Sequence, residues 1–199
     1  MEVRLIYGLI EAGASVLDLG CGDGELLAML VREKKIRAQG IEIDERAIYQ
    51  CVAKGLSVLH GDIDSGLSDL TDKAFDYVVL SQSFQQVRNP DLVLMESLRV
   101  GGKVIVSFPN FTHYRARMRL FFKGKTPVTA SLPYQWYDTP NLHFLSILDF
   151  LDYIRKRNIQ LEKAMFISKN KRIRILPNLF AETGIFLITE SQGFFSGNS

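Results

Sequence analysis

Residues 16–27 read VLDLGCGDGELL: an apolar run carries Asp18, and Gly20, Gly22 and Gly24 alternate behind it, with Cys21 between the first two. Glycines in such a turn take torsions that other residues resist, and they let a ligand pack directly on main-chain N–H groups. Where a helix follows, its first N–H groups face the same ligand. The turn is not one for a pyrophosphate. The dinucleotide fingerprint needs glycine at position 25, where Glu25 stands, and no Gly-Lys-Ser/Thr follows as a nucleoside-triphosphate loop requires. Two further acids follow at regular intervals. Glu42, followed by Ile43 in GIEIDERAI, stands at a strand end where a carboxylate can accept ribose hydroxyls. Asp62, followed by Ile63, lies in HGDID beyond the next apolar run. Glu42 supports a nucleoside ligand without naming it.

These residues need a scaffold, and the apolar patterning supplies one. Short apolar runs at 15–20, 37–43, 56–61, 75–81 and 103–108 alternate with amphipathic stretches at 25–33, 45–53 and 91–98. That alternation predicts parallel strands joined by crossover helices. The runs at 15–20, 75–81 and 103–108 are nearly continuous, as in strands covered on both faces. Asp44 is placed to cap the second helix, and Asn89-Pro90 to open the third. A further helix is expected over 145–157, with LEKAMFI and GIFLITE as a closing strand pair. The expected fold is a Rossmann-like α/β domain: a mostly parallel twisted sheet with helices on both faces and an antiparallel C-terminal strand. No repeat, low-complexity block or linker divides the 199 residues, so one domain is expected, interrupted by an insertion over 110–145. The terminal GFFSGNS is expected to fray.

Composition narrows the classes. A net charge of +2 gives no overall attraction to nucleic acid, so only a local patch could provide it. No apolar run approaches the roughly 18 residues of a membrane span. The opening MEVRLIYGLIEAG, broken by Arg4 and Glu11, makes a poor export signal. Cys21 and Cys51 are therefore expected to be reduced thiols in a cytoplasmic protein. His60, His113 and His143 show no metal-ligand spacing, and no metal is expected.

Taken in order, the motifs resemble those of class I S-adenosylmethionine (SAM) methyltransferases. The glycine turn, the acid at Glu42, HGDID, FDYVVLSQSFQQV and LRVGGKVIVSFPN fall in that superfamily's sequence of elements. The resemblance implies a site for SAM or S-adenosylhomocysteine. Asp18, Gly20, Cys21, Gly22 and Gly24 would hold the methionine and ribose side, and Glu42 with Ile43 the ribose. Asp62 and the Ile63 N–H would hold the adenine, and Ser81 and Gln82 would line the pocket. The segments SQSFQQVRNPD, FPNFTHYRARMRLFFKGKTPVT and LPYQWYDTPNLHFLSILDF are similar to a narrower group, the methionine biosynthesis protein MetW family. That family has the methyltransferase fold and is linked to homoserine O-acyltransferase as a partner or activating subunit. The resemblance thus implies a homoserine O-acyltransferase partner. Homo-oligomer formation is left open.

Turnover is a separate question. In methyl transfer the cofactor supplies the reactivity, and the protein must mainly orient the acceptor and exclude water. After the fourth strand, SFQQV offers Gln85 and Gln86, which can hydrogen-bond an acceptor but cannot take its proton near neutral pH. The roughly fourteen residues before the first strand are too few for a helical lid. No catalytic residue is assigned. A binding subunit is the first reading, and an active methyltransferase on an unidentified small molecule the second.

Beyond Asn110 the chain is basic and aromatic. No acid occurs from 110 to 137, whereas Arg115, Arg117, Arg119, Lys123 and Lys125 do. Arg115 and Arg119 share a helix face at i,i+4, beside Tyr114, Met118 and Phe121. Tyr134, Trp136 and Tyr137, bracketed by Pro133 and Pro140, extend this candidate partner or substrate surface, with His143 as a pocket residue. Aromatic, Met and Arg residues are enriched at interface centres. A second basic run, 169–174, is expected either nearby or as a solvated loop. LSQSF is not the polar-proline-aromatic tetrad of an RNA methyltransferase, so no nucleic-acid partner is expected.

Overall fold

The computed structural model describes residues 1–191; the terminal GFFSGNS lies outside the described residues. The apolar runs become β1 (Ser15–Leu19), β2 (Arg37–Glu42), β3 (Val58–His60), β4 (Phe75–Ser81) and β5 (Gly101–Pro109), all parallel. Between them lie α2 (Glu25–Lys34), α3 (Glu45–Ala53) and α4 (Pro90–Val100), and an unexpected α1 (Glu2–Tyr7) precedes β1. After β5 come α5 (Tyr114–Lys123), α6 (Ile147–Lys156), β6 (Gln160–Ser168), β7 (Lys171–Arg172), α7 (Pro177–Phe180) and β8 (Thr183–Thr189). The sheet order is β3-β2-β1-β4-β5-β8-β6-β7, with β8 antiparallel to both β5 and β6. The basic run 169–174 thus forms in part the β7 edge, paired to the end of β6.

Local chemistry sets the helix boundaries. Asp44 caps α3 by accepting from Arg46 N at 2.9 Å, and Pro90 takes the first position of α4. Ser146 and Asp149 form a reciprocal capping box at the start of α6. Each face of the sheet carries its own apolar layer. Leu17, Leu19, Val78, Leu80, Phe108, Phe150 and Phe186 lie on one, and Val16, Leu27, Leu30, Val79 and Ile105 on the other. Ile6 and Ile10 join the second layer, which anchors α1 against α2. Residues 124–146 form no helix or strand. Among the described residues no helix is long and apolar enough to cross a membrane.

Candidate functional site at the carboxyl ends of the strands

The carboxyl ends of β3, β2, β1 and β4 open onto a cleft of about 500 Å³. Its β1 wall is the glycine turn, with Gly20, Gly22 and Gly24 at φ of 74°, 55° and 76°, a region that strains any residue with a Cβ. Two of them also have no room for a side chain. A Cβ on Gly20 would lie 2.9 Å from that of Ser83, and one on Gly24 2.5 Å from Leu56 Cδ1. The turn is stitched to β2 because Gly20 N and Cys21 N both donate to Ile41 O.

Glu42 holds the turn in place. Its Oε2 accepts from Gly22 N at 2.8 Å, and its Oε1 accepts from Ile43 N and Asp44 N at 2.8 and 3.0 Å. Both acceptor positions of Oε1 are thereby used, and Oε2 keeps one for a ligand hydroxyl. Accepting two ribose hydroxyls therefore requires sharing or displacing an amide. Asp62 is exposed, and it accepts from Asp64 N at 2.9 Å, capping the short turn Ile63–Ser65. Asp64 was not singled out from sequence, yet it accepts from Arg88 N and Asn89 N and ties the segments after β3 and β4 together.

Gly20, Gly22, Glu42, Ile43, Asp62 and Ile63 line the cleft, together with Gln82, Gln86, Pro140 and Leu142. Asp18, Cys21, Gly24 and Ser81 do not. Strand alternation turns Asp18 under the glycine turn, where it is only 2% exposed. Its Oδ1 has no hydrogen-bond partner among the described residues, and burial, reinforced by the charge of Glu42, pushes its pKa up to about 7. Cys21 packs on Gly40, where a Cβ would meet its Sγ at 2.6 Å. Burial is the largest cause raising both Cys21 and Cys51, which keeps these thiols protonated and unreactive at neutral pH. Ser81 faces Ser107, oxygen to oxygen at 3.4 Å.

The stretch after β4 is a short turn, Phe84–Gln86, in which buried Gln85 donates to Gln82 O at 2.7 Å. Sequence reasoning found no titratable group here and no lid before β1. The structure adds a group that neither expectation included. The residues before β1 fold into α1, and Glu2 accepts from Gln82 Nε2 at 2.8 Å and from Ser107 Oγ at 2.6 Å. Nothing local in the sequence signals this contact, since it depends on residues 2, 82 and 107 meeting.

Much of the region after Asn110 is exposed, although Phe111, His113 and Leu132 are buried. Of α5 only Ala116 is buried, while Phe121 is 82% exposed and Phe122 68%. Trp136 and Tyr137, in edge-to-face contact, are 73% and 71% exposed, and Tyr134 is exposed beside them in sequence. Arg115 is fixed by its Nε donating to Tyr114 OH at 3.0 Å; Arg119 is half-buried, with its Nε unpartnered among the described residues. His143 takes a different place. Its Nε2 lies 2.9 Å from Val87 O, and it lines a separate apolar cavity of about 260 Å³ with Phe84 and Phe150. The segment around it is pinned to the cleft by Leu142 N and His143 N, which both donate to Gln85 O.

The model of the family described as methionine biosynthesis protein MetW matches residues 1–188. Among curated proteins, the chain is 34% identical over 198 residues to the bifunctional methionine biosynthesis protein MetXA/MetW of Rhodopirellula baltica, covering 93% of this chain and 32% of that protein. The chain therefore spans about a third of the length of this relative. Among solved structures, a SAM-dependent methyltransferase of Thermotoga maritima superposes with a TM-score of 0.68 at 20% identity, covering 96% of this chain and 87% of the other. The cyclase SpnF superposes with a TM-score of 0.69 at 16% identity, covering 95% and 80%. These likenesses show the methyltransferase fold, and the cyclase among them shows that the fold does not dictate one reaction.

Proposed function

The chain belongs to the MetW family of methionine biosynthesis proteins, and from that premise we propose that it is an adenosyl-ligand-binding subunit acting with a homoserine O-acyltransferase. The observation that carries the ligand reading is the charge of the cleft. Glu42, Asp62 and Asp64 line it against Arg88, with Asp18 buried under the turn. None of these acids forms a salt bridge among the described residues. A phosphate would be repelled, whereas a nucleoside with a sulfonium and an ammonium would supply the missing positive charge. The residues present therefore fit SAM, and they fit its demethylated product through the ammonium alone. Glu42 would hold the ribose, Asp62 and Ile63 the adenine, and Gly20 and Gly22 would let the ligand lie on bare backbone. When bound, SAM supplies an activated methyl group; the chain's own residues bind, orient and partly enclose the ligand.

The partner reading rests on the relative in which MetXA and MetW names share one polypeptide. It is supported by two exposed aromatic pairs, Phe121–Phe122 on α5, which also carries Arg115 and Arg119, and Trp136–Tyr137 in the loop beyond it. Exposed clusters of large aromatic side chains are typical of interaction surfaces. Buried, reduced thiols and a biosynthetic role support a cytoplasmic location. An active methyltransferase on a small molecule is the second reading, and the carboxylate of Glu2 beside Gln82 is the observation in its favour. Mixing the chain with the homoserine O-acyltransferase of the same organism tests the first reading. A stable complex whose acyl-transfer rate differs from that of the acyltransferase alone is expected. Separate elution with an unchanged rate would refute it.

A further inference from the structure

The sheet order fixes which groups a ligand meets as it lies along the strand ends. Passing from β3 through β2 and β1 to β4, they are Asp62 and Ile63, then Glu42, Gly20 and Gly22, and Gln82. Neighbouring strands stand about 4.8 Å apart, so β3 to β4 spans roughly 14 Å. A nucleoside held at β3 and β2 therefore sends its 5′ substituent over β1 toward β4 and Gln82.

At that end stands Glu2, reaching in from α1. One oxygen, Oε1, is fixed by Ser107 Oγ and Gln82 Nε2, at 2.6 and 2.8 Å. The other oxygen has no partner among the described residues. Gln82 itself is held at a φ of 60°, with its N–H donating to Ser107 O at 3.0 Å. A glutamine in the left-handed region is backbone strain kept at a binding cleft. An independent observation points the same way. Asp18 lies opposite Val79, two residues below Ser81 on the same sheet face, and Ser81 is opposite Ser107. Asp18 is 2% exposed, and its Oδ1 has no donor among the described residues. A buried carboxyl oxygen left without a donor is costly and calls for a polar partner on this face.

We propose that Glu2 is a ligand-binding residue whose free carboxylate oxygen takes the ammonium group of an adenosyl amino-acid ligand, so that α1 acts as a clasp on the cleft. The proposal rests on the reading of the cleft as an adenosyl site. It makes the amino-acid end of the ligand the part that this chain recognises through its N-terminal helix.

Isothermal titration of wild type and Glu2→Gln with three probes tests it: SAM, S-adenosylhomocysteine, and 5′-methylthioadenosine, which lacks the amino-acid end. The expected result is a loss of roughly tenfold to a hundredfold for the two amino-acid-bearing probes, as for a charged hydrogen bond. The affinity for 5′-methylthioadenosine should stay within about twofold. Equal loss for all three probes would mean that Glu2 only packs α1 onto Gln82 and Ser107, and would overturn the proposal. No loss for any probe would overturn it as well. Wild type binding 5′-methylthioadenosine as tightly as S-adenosylhomocysteine would overturn it while leaving the nucleoside site standing. Wild type binding none of the three would overturn the adenosyl reading itself, and this proposal with it.

Discussion

Asp18 titrates where few aspartates do. Its carboxyl keeps a proton up to about pH 7 in the folded chain, against 3.8 for an ordinary aspartate, first because it is buried and second because Glu42 is near. Between those values the folded state binds a proton that the unfolded state has released, so stability falls as pH rises through that window. The Asp18→Asn variant lacks this slope. Urea unfolding at pH 5 and pH 8 should show wild type losing on the order of a few kcal/mol more than the variant. A cationic ligand reverses the sign for binding: SAM affinity of wild type should rise between pH 6 and pH 8, and that of Asp18→Asn should not. The glycines make a second prediction. Gly24→Ala meets Leu56 at 2.5 Å and carries a φ of 76°, whereas Gly22→Ala meets nothing within 4 Å. Denaturant midpoints should place Gly24→Ala roughly 2–4 kcal/mol below wild type and Gly22→Ala only about 1 kcal/mol below.

Among the elements, α5 separates a structural role from a docking role. A helix built to cover the core would bury a stripe, yet α5 buries Ala116 and leaves Phe121 and Phe122 in solvent. Phe121→Ser with Phe122→Ser should therefore leave thermal stability unchanged within about 0.5 kcal/mol. The same pair of substitutions should abolish association with the acyltransferase, read by gel filtration of the mixture. What was legible in the sequence follows from the same physics. The strands SVLDL and FDYVVLS and the helix ERAIYQCVA were readable because burial writes apolar runs and Asp44 writes a cap. The six residues of α1 and the two of β7 carry too little periodicity to be read, since each forms by docking onto a neighbour. In the cleft, Glu42 was legible from its spacing after the glycine turn. Glu2 and Asp64 were not, because each acts on backbone or side chains brought near only by the fold. Asp18 was read as a ligand contact, and strand alternation placed it beneath the turn instead.

For the molecule as a whole, the cleft and the exposed aromatic face of Trp136 and Tyr137 share one segment. Pro140 and Leu142 line the cleft, and Leu142 and His143 hang from the carbonyl of Gln85, while Trp136 and Tyr137 stand exposed a few residues away. A partner seated on that face would bear on the cleft wall, and by linkage a ligand in the cleft would change partner affinity by the same factor. Saturating S-adenosylhomocysteine should therefore shift the dissociation constant of the complex about fivefold or more, measured by titrating the acyltransferase with and without ligand. All of this depends on the cleft holding an adenosyl ligand. Calorimetric titration of SAM into the wild-type chain and into Glu42→Ala is the most direct measurement of that claim. Saturable one-to-one binding by wild type, weakened at least tenfold (about 1.4 kcal/mol) by the substitution, is the predicted result. No heat from wild type, or equal affinity in the two chains, would contradict it.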